Sequence, residues 1–314
     1  MNKYELTKRI ENFAPLETQE KWDCSGWIVD APNHDEISKV MLCLTVTDDV
    51  VRQAQTNNCD MIISHHPLFF VPFKYSPSPH WGEGRGEGLN IYCAHTNLDL
   101  AQGGTTDVLI ENVIEAAMQL GSQAAKFDIN DMSQKSICHC EEGESPTWQS
   151  IMSNNKKPDC FAIARNDSLS ETSQTQQTDN DLFAYSPIRL FTNNLPTFLR
   201  YIQTEISITD FLTILKQISP NLRFVNNKNI QTLRKIAFCA GSGADFIEEA
   251  HQNGADALVT GDLKFHTALD SPIALFDIGH FESEIGVLKV FETLINNDVE
   301  VIYAQEKSPF NYQL

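Results

Sequence analysis

Apolar residues at the start of the chain recur at near-helical spacing, at Tyr4, Leu6, Ile10 and Phe13, with Pro15 just beyond. That spacing predicts an amphipathic first helix ended by the proline. From Val40 the pattern changes to VMLCLTV, then TDDVVRQAQTNNC, then DMIISHHP. It reads as a buried strand, a capped helix and a second strand stopped by Pro67. The same order returns from Lys235 in KIAFCAGSGADFIEEAHQNGADALVTGD. Strand, helix and strand in alternation predict an α/β fold.

The two stretches align without a gap. At a constant offset of 196, residues 39–67 fall on 235–263 and match Lys39/Lys235, Cys43/Cys239, Asp49/Asp245, Ala54/Ala250, Asn57/Asn253 and Asp60/Asp256. A further offset of 185 sets NIYCAHTNLD (90–99) on LFDIGHFESE (275–284), His95 on His280 and Asp99 on Glu284. The chain therefore reads as two related α/β halves, 1–120 and 232–314, that build one cleft between them. Residues 121–231 are the inserted region. It contains a polar run, NDSLSETSQTQQTDND (166–181), expected to be loop or disorder, flanked by apolar pieces that suit a small α+β segment with a helix near 208–218. SPSPHWGEGRGEG (76–88), rich in Pro and Gly, reads as an exposed insertion.

Composition narrows the chemistry. The chain has 314 residues, and 41% of them are hydrophobic, enough for a real core. Lys and Arg number 23 against 42 Asp and Glu, a formal net charge of -19. That field repels polyanions, which argues against nucleic acid as a partner. A small anionic ligand held by metal ions remains compatible with it. No apolar run approaches the roughly 20 residues that span a bilayer, and MNKYELTKRIENF lacks a secretory leader's apolar stretch, so a cytoplasmic location without membrane attachment is expected. The eight cysteines are dispersed and read mainly as small buried hydrophobes. Cys138-His139-Cys140 has ligand-like spacing but no second pair at zinc-finger distance.

Three strand ends carry the candidate chemistry. His65-His66 follows MIIS, His95 with Asp99 follows NIYCA, and His280 with Glu284 follows IALFDIG. Ligands in open α/β sheets gather at such carboxyl ends. In a helix, His280 and Glu284 lie one turn apart on one face. Any one of these pairs is ordinary alone. Together, His65, His66, Asp99, His280 and Glu284 exceed the ligand set of a single zinc ion, which favours a two-metal site with a carboxylate bridge. Imidazole and carboxylate donors admit Zn, Mn, Fe, Co or Ni. His95 is a candidate acid/base or a group that orients the ligands, with a buried histidine orienting Asp99 as the alternative. Asp262, Lys264 and His266 follow the repeat's equivalent strand, where Lys264 could meet a phosphate. Gly241-Ser242-Gly243 could receive an anion but reads better as a tight turn. His34, His80, His139 and His251 are expected on the surface.

SHHPLFF, AHTNLD, CAGSGADFIEEA, GADALVTGDLKFH and GHFESE, in this order, resemble the signature segments of the GTP cyclohydrolase 1 type 2-like family, also called the NGG-interacting-factor-three-like family. The likeness covers about residues 1–120 and 232–314. It implies an α/β fold with a dinuclear metal site in an interdomain cleft, six subunits in a toroid, and metal ligation by His65, His66, Asp99, His280 and Glu284, with Glu284 as the bridge. Cys24, in WDCSG, stands where the family usually has Asn. Three functions follow as expectations: a metal-dependent hydrolase acting on a nucleotide or other phosphate-bearing small molecule, a non-catalytic regulator or metal-delivery protein in a ring, and, against the charge, a nucleic-acid clamp.

Overall fold

The apolar runs become the inner strands of two five-stranded sheets in a computed structural model that describes residues 1–68, 89–120 and 197–310. The expectations for 76–88, 138–140 and 166–181, and for His80 and His139, lie outside the described residues. The first sheet contains β1 (Gly26–Val29), β2 (Lys39–Cys43), β3 (Met61–Ser64), β4 (Asn90–Cys93) and β10 (Glu300–Tyr303). Its order is β1-β4-β3-β2-β10, parallel except for the β1 edge. The second contains β5 (Arg200–Ser207), β6 (Arg223–Val225), β7 (Thr232–Phe238), β8 (Ala257–Thr260) and β9 (Ala274–Asp277) in the order β5-β7-β8-β9-β6. Here both edges are antiparallel. The fold is mixed α/β, as the alternation of patterns implies.

Continuous apolar runs suit parallel strands covered on both faces. In the first sheet Val40, Leu42, Met61 and Ile63 face helices α1 (Lys3–Phe13) and α9 (Leu288–Ile295). Met41, Cys43 and Ile62 face α2 (Asp48–Thr56), which buries Val50 and Ala54. Thr47 caps α2 by accepting the Val50 amide. The second sheet repeats the scheme. Ile236, Phe238 and Val259 pack on α4 (Thr105–Gln119) and α5 (Ile208–Ile218), and Ala237 and Leu258 pack on α6 (Ile247–Gln252). Leu109, Ile110 and Val113 of the first half thus complete the second core, while β10 completes the first sheet. The described part of 121–231 supplies β5, α5 and β6 to the second sheet.

The repeat is visible bond for bond. Asp60 Oδ2 accepts the amides of Ser38 and Lys39, and Asp256 Oδ2 accepts those of Arg234 and Lys235. Asn58 and Gly254 both take left-handed φ, 55° and 76°, just after their helices. Met61 pairs with Asn90 and Ala257 with Ala274, so the offset beyond β3 is 184, not the expected 185. His95 therefore corresponds to Gly279, and Asp99 to Ser283. Matching histidine to histidine shifts the alignment by one residue, whereas the hydrogen-bond ladder sets the true register.

A buried ion pair ties the halves together. Arg200, in β5, donates from Nε to Asp107 Oδ1 at 3.0 Å and from Nη2 to the carbonyls of Leu100 and Ala101. Both side chains are about 2% exposed. No helix among the described residues is long and apolar enough to cross a membrane. Arg200→Ala should lower stability by about 3–5 kcal/mol, because it leaves the Asp107 carboxylate buried without its cation. A chemical denaturation midpoint equal to that of the native chain would refute this.

Candidate metal centre

The carboxyl ends of β3 and β4 in one sheet and of β9 in the other meet at one cluster. His65 and His66 leave β3 in a turn where Ser64 Oγ donates to the His66 carbonyl and Cys93 Sγ donates to the His65 carbonyl. His95 caps the short helix α3 (Thr96–Leu100), which carries Asp99. His280 and Glu284 begin and end α8 (His280–Glu284), entered through Gly279 at φ 87°.

Each of the four imidazoles is held at Nδ1. His65 Nδ1 donates to the Ala94 carbonyl at 3.0 Å, and His66 Nδ1 bonds Thr45 Oγ1 at 2.8 Å. His95 Nδ1 donates to Asp23 Oδ1 at 3.0 Å, and His280 Nδ1 donates to Asp262 Oδ2 at 2.7 Å. With Nδ1 the donor, Nε2 presents its lone pair, the arrangement in which metal-ligating histidines are held. The ligand atoms of His65, His66 and His95 lie within 4.8 Å of one another, as do those of His66, His280 and Glu284.

Glu284 stands between the two groups with 4% of its side chain exposed. Its Oε2 lies 2.9 Å from His66 Nε2 and 3.0 Å from His280 Nε2, while Oε1 faces His65 Nε2 at 3.9 Å. Asp99 Oδ1 is 3.5 Å from His65 Nε2, too far for a good hydrogen bond, and both atoms are buried without a hydrogen-bond partner. Two ligands about 2.1 Å from a shared tetrahedral ion lie about 3.4 Å apart. The His65/Asp99 pair and the His66/His280 Nε2 separation of 3.4 Å both suit that edge. The donor set therefore fits divalent metal. Gly241, at φ 66°, makes room for it, because a Cβ there would lie 2.3 Å from Glu284 Oε1. The Gly-Ser-Gly segment bends away from the end of β7 and is pinned to α8 by the Gly241 amide donating to Ser283 Oγ.

Burial alone would lower the histidines' proton affinity, and His66 does fall. His65 is instead pushed up to about 9 by Asp99 and Glu284, which outweigh its burial. His280 is likewise pushed up to about 9 by Glu284 and Asp262 against its burial. Burial raises Glu284, but hydrogen bonds from His280 and His66 and the nearby charge of His65 hold it well below the usual carboxylate range. In the metal-free protein, protons neutralise this cluster.

All five expected ligands and His95 thus converge. Lys264 and His266 are exposed on the stretch after Asp262, and no hydrogen bond or ion pair joins either to the cluster among the described residues. His34 and His251 are exposed. Sequence reasoning passed over Asp23 and Thr45, which hold His95 and His66 from distant segments. Asp23 also accepts the Thr96 amide and hydroxyl. Despite burial, its bonds from His95 and Thr96 keep the carboxyl well below its ordinary range.

Comparison with known proteins agrees with the fold and with the sequence resemblance. The family model described as Duf34/NIF3 (NGG1p interacting factor 3) matches residues 1–309. The chain belongs to the Duf34/NIF3 family. Among relatives, it is 28% identical to a GTP cyclohydrolase 1 type 2 homolog of Clostridium perfringens, covering 96% of each chain. A hypothetical protein of Staphylococcus aureus superposes with a TM-score of 0.66 at 23% identity, covering 100% of this chain and 99% of the other. Reduced HcgD of Methanocaldococcus jannaschii superposes with a TM-score of 0.64 at 21% identity, covering 98% of each. At those identities the solved structures speak for the fold of this NIF3 protein.

The raised histidines set a pH dependence. Unfolded, both titrate near 6.5. Their pairing with carboxylates stabilises the metal-free fold fully below that pH and is lost as pH rises through about 9. Thermal melts in chelator should show a falling Tm across this window, while the stabilisation by added divalent metal grows, because binding displaces those protons. A metal-free Tm that is flat or rising would contradict the assignment.

Proposed function

We propose that this NIF3 chain holds two divalent ions, bridged by Glu284, and uses them to hydrolyse a nucleotide or other small phosphate-bearing molecule. The observation that carries the two-ion reading is the split of Glu284: Oε1 faces His65, whose Nε2 also lies 3.5 Å from Asp99 Oδ1, and Oε2 faces His66 and His280. His65 and Asp99 would hold one ion, and His66 and His280 the other. Zn, Mn, Fe, Co and Ni all suit these donors. Such a pair supplies Lewis acidity toward a phosphoryl or carbonyl oxygen and makes water more acidic.

The protein's own residues then do three things. His65 and Glu284 are buried, which excludes bulk water from one side. His280, with a third of its side chain exposed, leaves the other side open for a ligand. His95, fixed by Asp23 at Nδ1, keeps its ring beside those of His65 and His66, where its Nε2 can take or return a proton. The -19 charge disfavours long polyanions and leaves a small anion drawn to the metal centre as the favoured substrate class. Relatives named as GTP cyclohydrolase 1 type 2 homologs support a nucleotide. Lys264 and His266 border the open side in sequence through Asp262 and are the proposed contacts for a substrate phosphate. The free thiols Cys24, Cys43, Cys59, Cys93 and Cys239 support a cytoplasmic setting. Exposed Phe224, Phe265 and Leu269 support assembly with further copies, for which a ring of six is proposed.

A non-catalytic metal-delivery or regulatory role is the second reading, favoured by the same exposure of His280, which leaves one ligand open to exchange. Metal analysis and a phosphoester and nucleotide turnover screen on one tag-free sample separate the two. About two ions per chain with chelator-sensitive turnover is the expected result, and two ions without turnover would move the reading to delivery. Glu284→Ala should lower bound metal to one ion or none with the fold intact, and unchanged metal content would remove the bridge. Asp23→Asn should keep the metal and lower kcat by about 10²–10⁴-fold, since His95 loses the carboxylate that orients it. Unaltered kcat would sink the role of His95.

A further inference from the structure

The duplication places a different device at each of its two equivalent strand ends. With the ladder offset of 196, Gly261 and Asp262 follow β8 where His65 and His66 follow β3. Neither is a metal-ligating imidazole. A Cβ at Gly261 would lie 2.8 Å from the His280 amide nitrogen and 2.9 Å from the Gly279 carbonyl carbon, so this position admits only glycine if α8 is to pass close by. Asp262 takes φ 58°, the left-handed region, whereas His66 is not among the positive-φ residues. The conformation is therefore not inherited from the repeat.

Glycine adopts that φ without strain, and a side chain there is strained unless the surroundings compensate. The Asp262 carboxylate accepts from His280 Nδ1 at 2.7 Å, although nearly half of the side chain is exposed. His280 is the most exposed of the four imidazoles, so packing constrains its ring least. A fixed acceptor on Nδ1 is what keeps its Nε2 lone pair turned toward Glu284 and His66.

We propose that Asp262 is a positioning residue, held in the left-handed region to orient His280 and thereby set the affinity of the metal position that His280 shares with His66. The proposal rests on the metal-centre reading above. Loss of the acceptor should therefore weaken metal binding, and a variant that keeps an acceptor at the same φ should restore it, which a merely structural role would not predict.

The test uses the full chain, stripped of metal and titrated with Co²⁺ against a competing chelator. Asp262→Gly should bind the Co²⁺ held through His280 about 10- to 100-fold more weakly. Asp262→Asn, which tolerates the same φ and still offers an acceptor oxygen, should recover most of that affinity. Native-like Co²⁺ affinity in Asp262→Gly would overturn the proposal, as would an Asp262→Asn affinity no better than that of Asp262→Gly. His280→Ala is the control. If it also binds Co²⁺ like the native chain, the metal-centre reading fails; if it loses Co²⁺ while Asp262→Gly does not, only the role of Asp262 fails.

Discussion

One buried carboxylate organises this protein. Glu284 is almost wholly shielded from water, and an anion in that setting is destabilising by several kcal/mol unless it is closely paired. Its partners come from both sheets: His65 and His66 from the end of β3, more than two hundred residues away in sequence, and His280 from its own short helix. The compensation therefore exists only while both sheets hold their positions. Much of the remaining structure is explained by that requirement. The Arg200 and Asp107 pair fastens the start of the second sheet to the helix that follows Asp99, and Gly241 leaves the space into which Glu284 reaches.

The exchange of elements between halves serves the same end. The long helix of the first half buries its apolar face in the second core, and the last strand of the chain completes the first sheet. Neither half closes its core alone. Such interlocking resists relative motion better than a hinge of two independent domains, and a convergent donor cluster needs placement within a fraction of an ångström. The shell of Nδ1 partners extends the argument to single side chains. A carbonyl, a hydroxyl and two carboxylates each fix one imidazole, so the ring orientations are set before any ion is bound. Thr45 is itself held by Glu306, which accepts its amide and that of Leu44, so even the C-terminal segment bears on His66.

Two matching strand-helix-strand units support an unsymmetrical cluster. Equivalent aspartates pin equivalent strand starts in the two halves, and equivalent left-handed residues end equivalent helices. At the ligand ends the equivalence stops: an imidazole pair on one side faces Gly261 and Asp262 on the other. The one-residue difference in register beyond β3 places His280, not Gly279, in line with Thr96, so the two sides of the centre are built from non-corresponding positions. Once two copies face one another, one site needs only one set of ligands, and the other strand end is free to supply support.

The amino-acid sequence by itself determined the α/β alternation, the repeat across 39–67 and 235–263, and the residue types of the centre. Apolar runs and polar strand ends are local features, and local pattern reveals them. His65, His66, Asp99, His280 and Glu284 could be read as a group because each pair closes its own strand. Tertiary structure alone decided which nitrogen each imidazole presents, that Asp23 and Thr45 stand behind His95 and His66, and that the second alignment shifts by one. It also decided that β10 leaves its own half and that residues 200–225 join the second sheet. These depend on hydrogen-bond register and on contacts between segments far apart in sequence. No local pattern encodes the distance between two strand ends that only packing brings together.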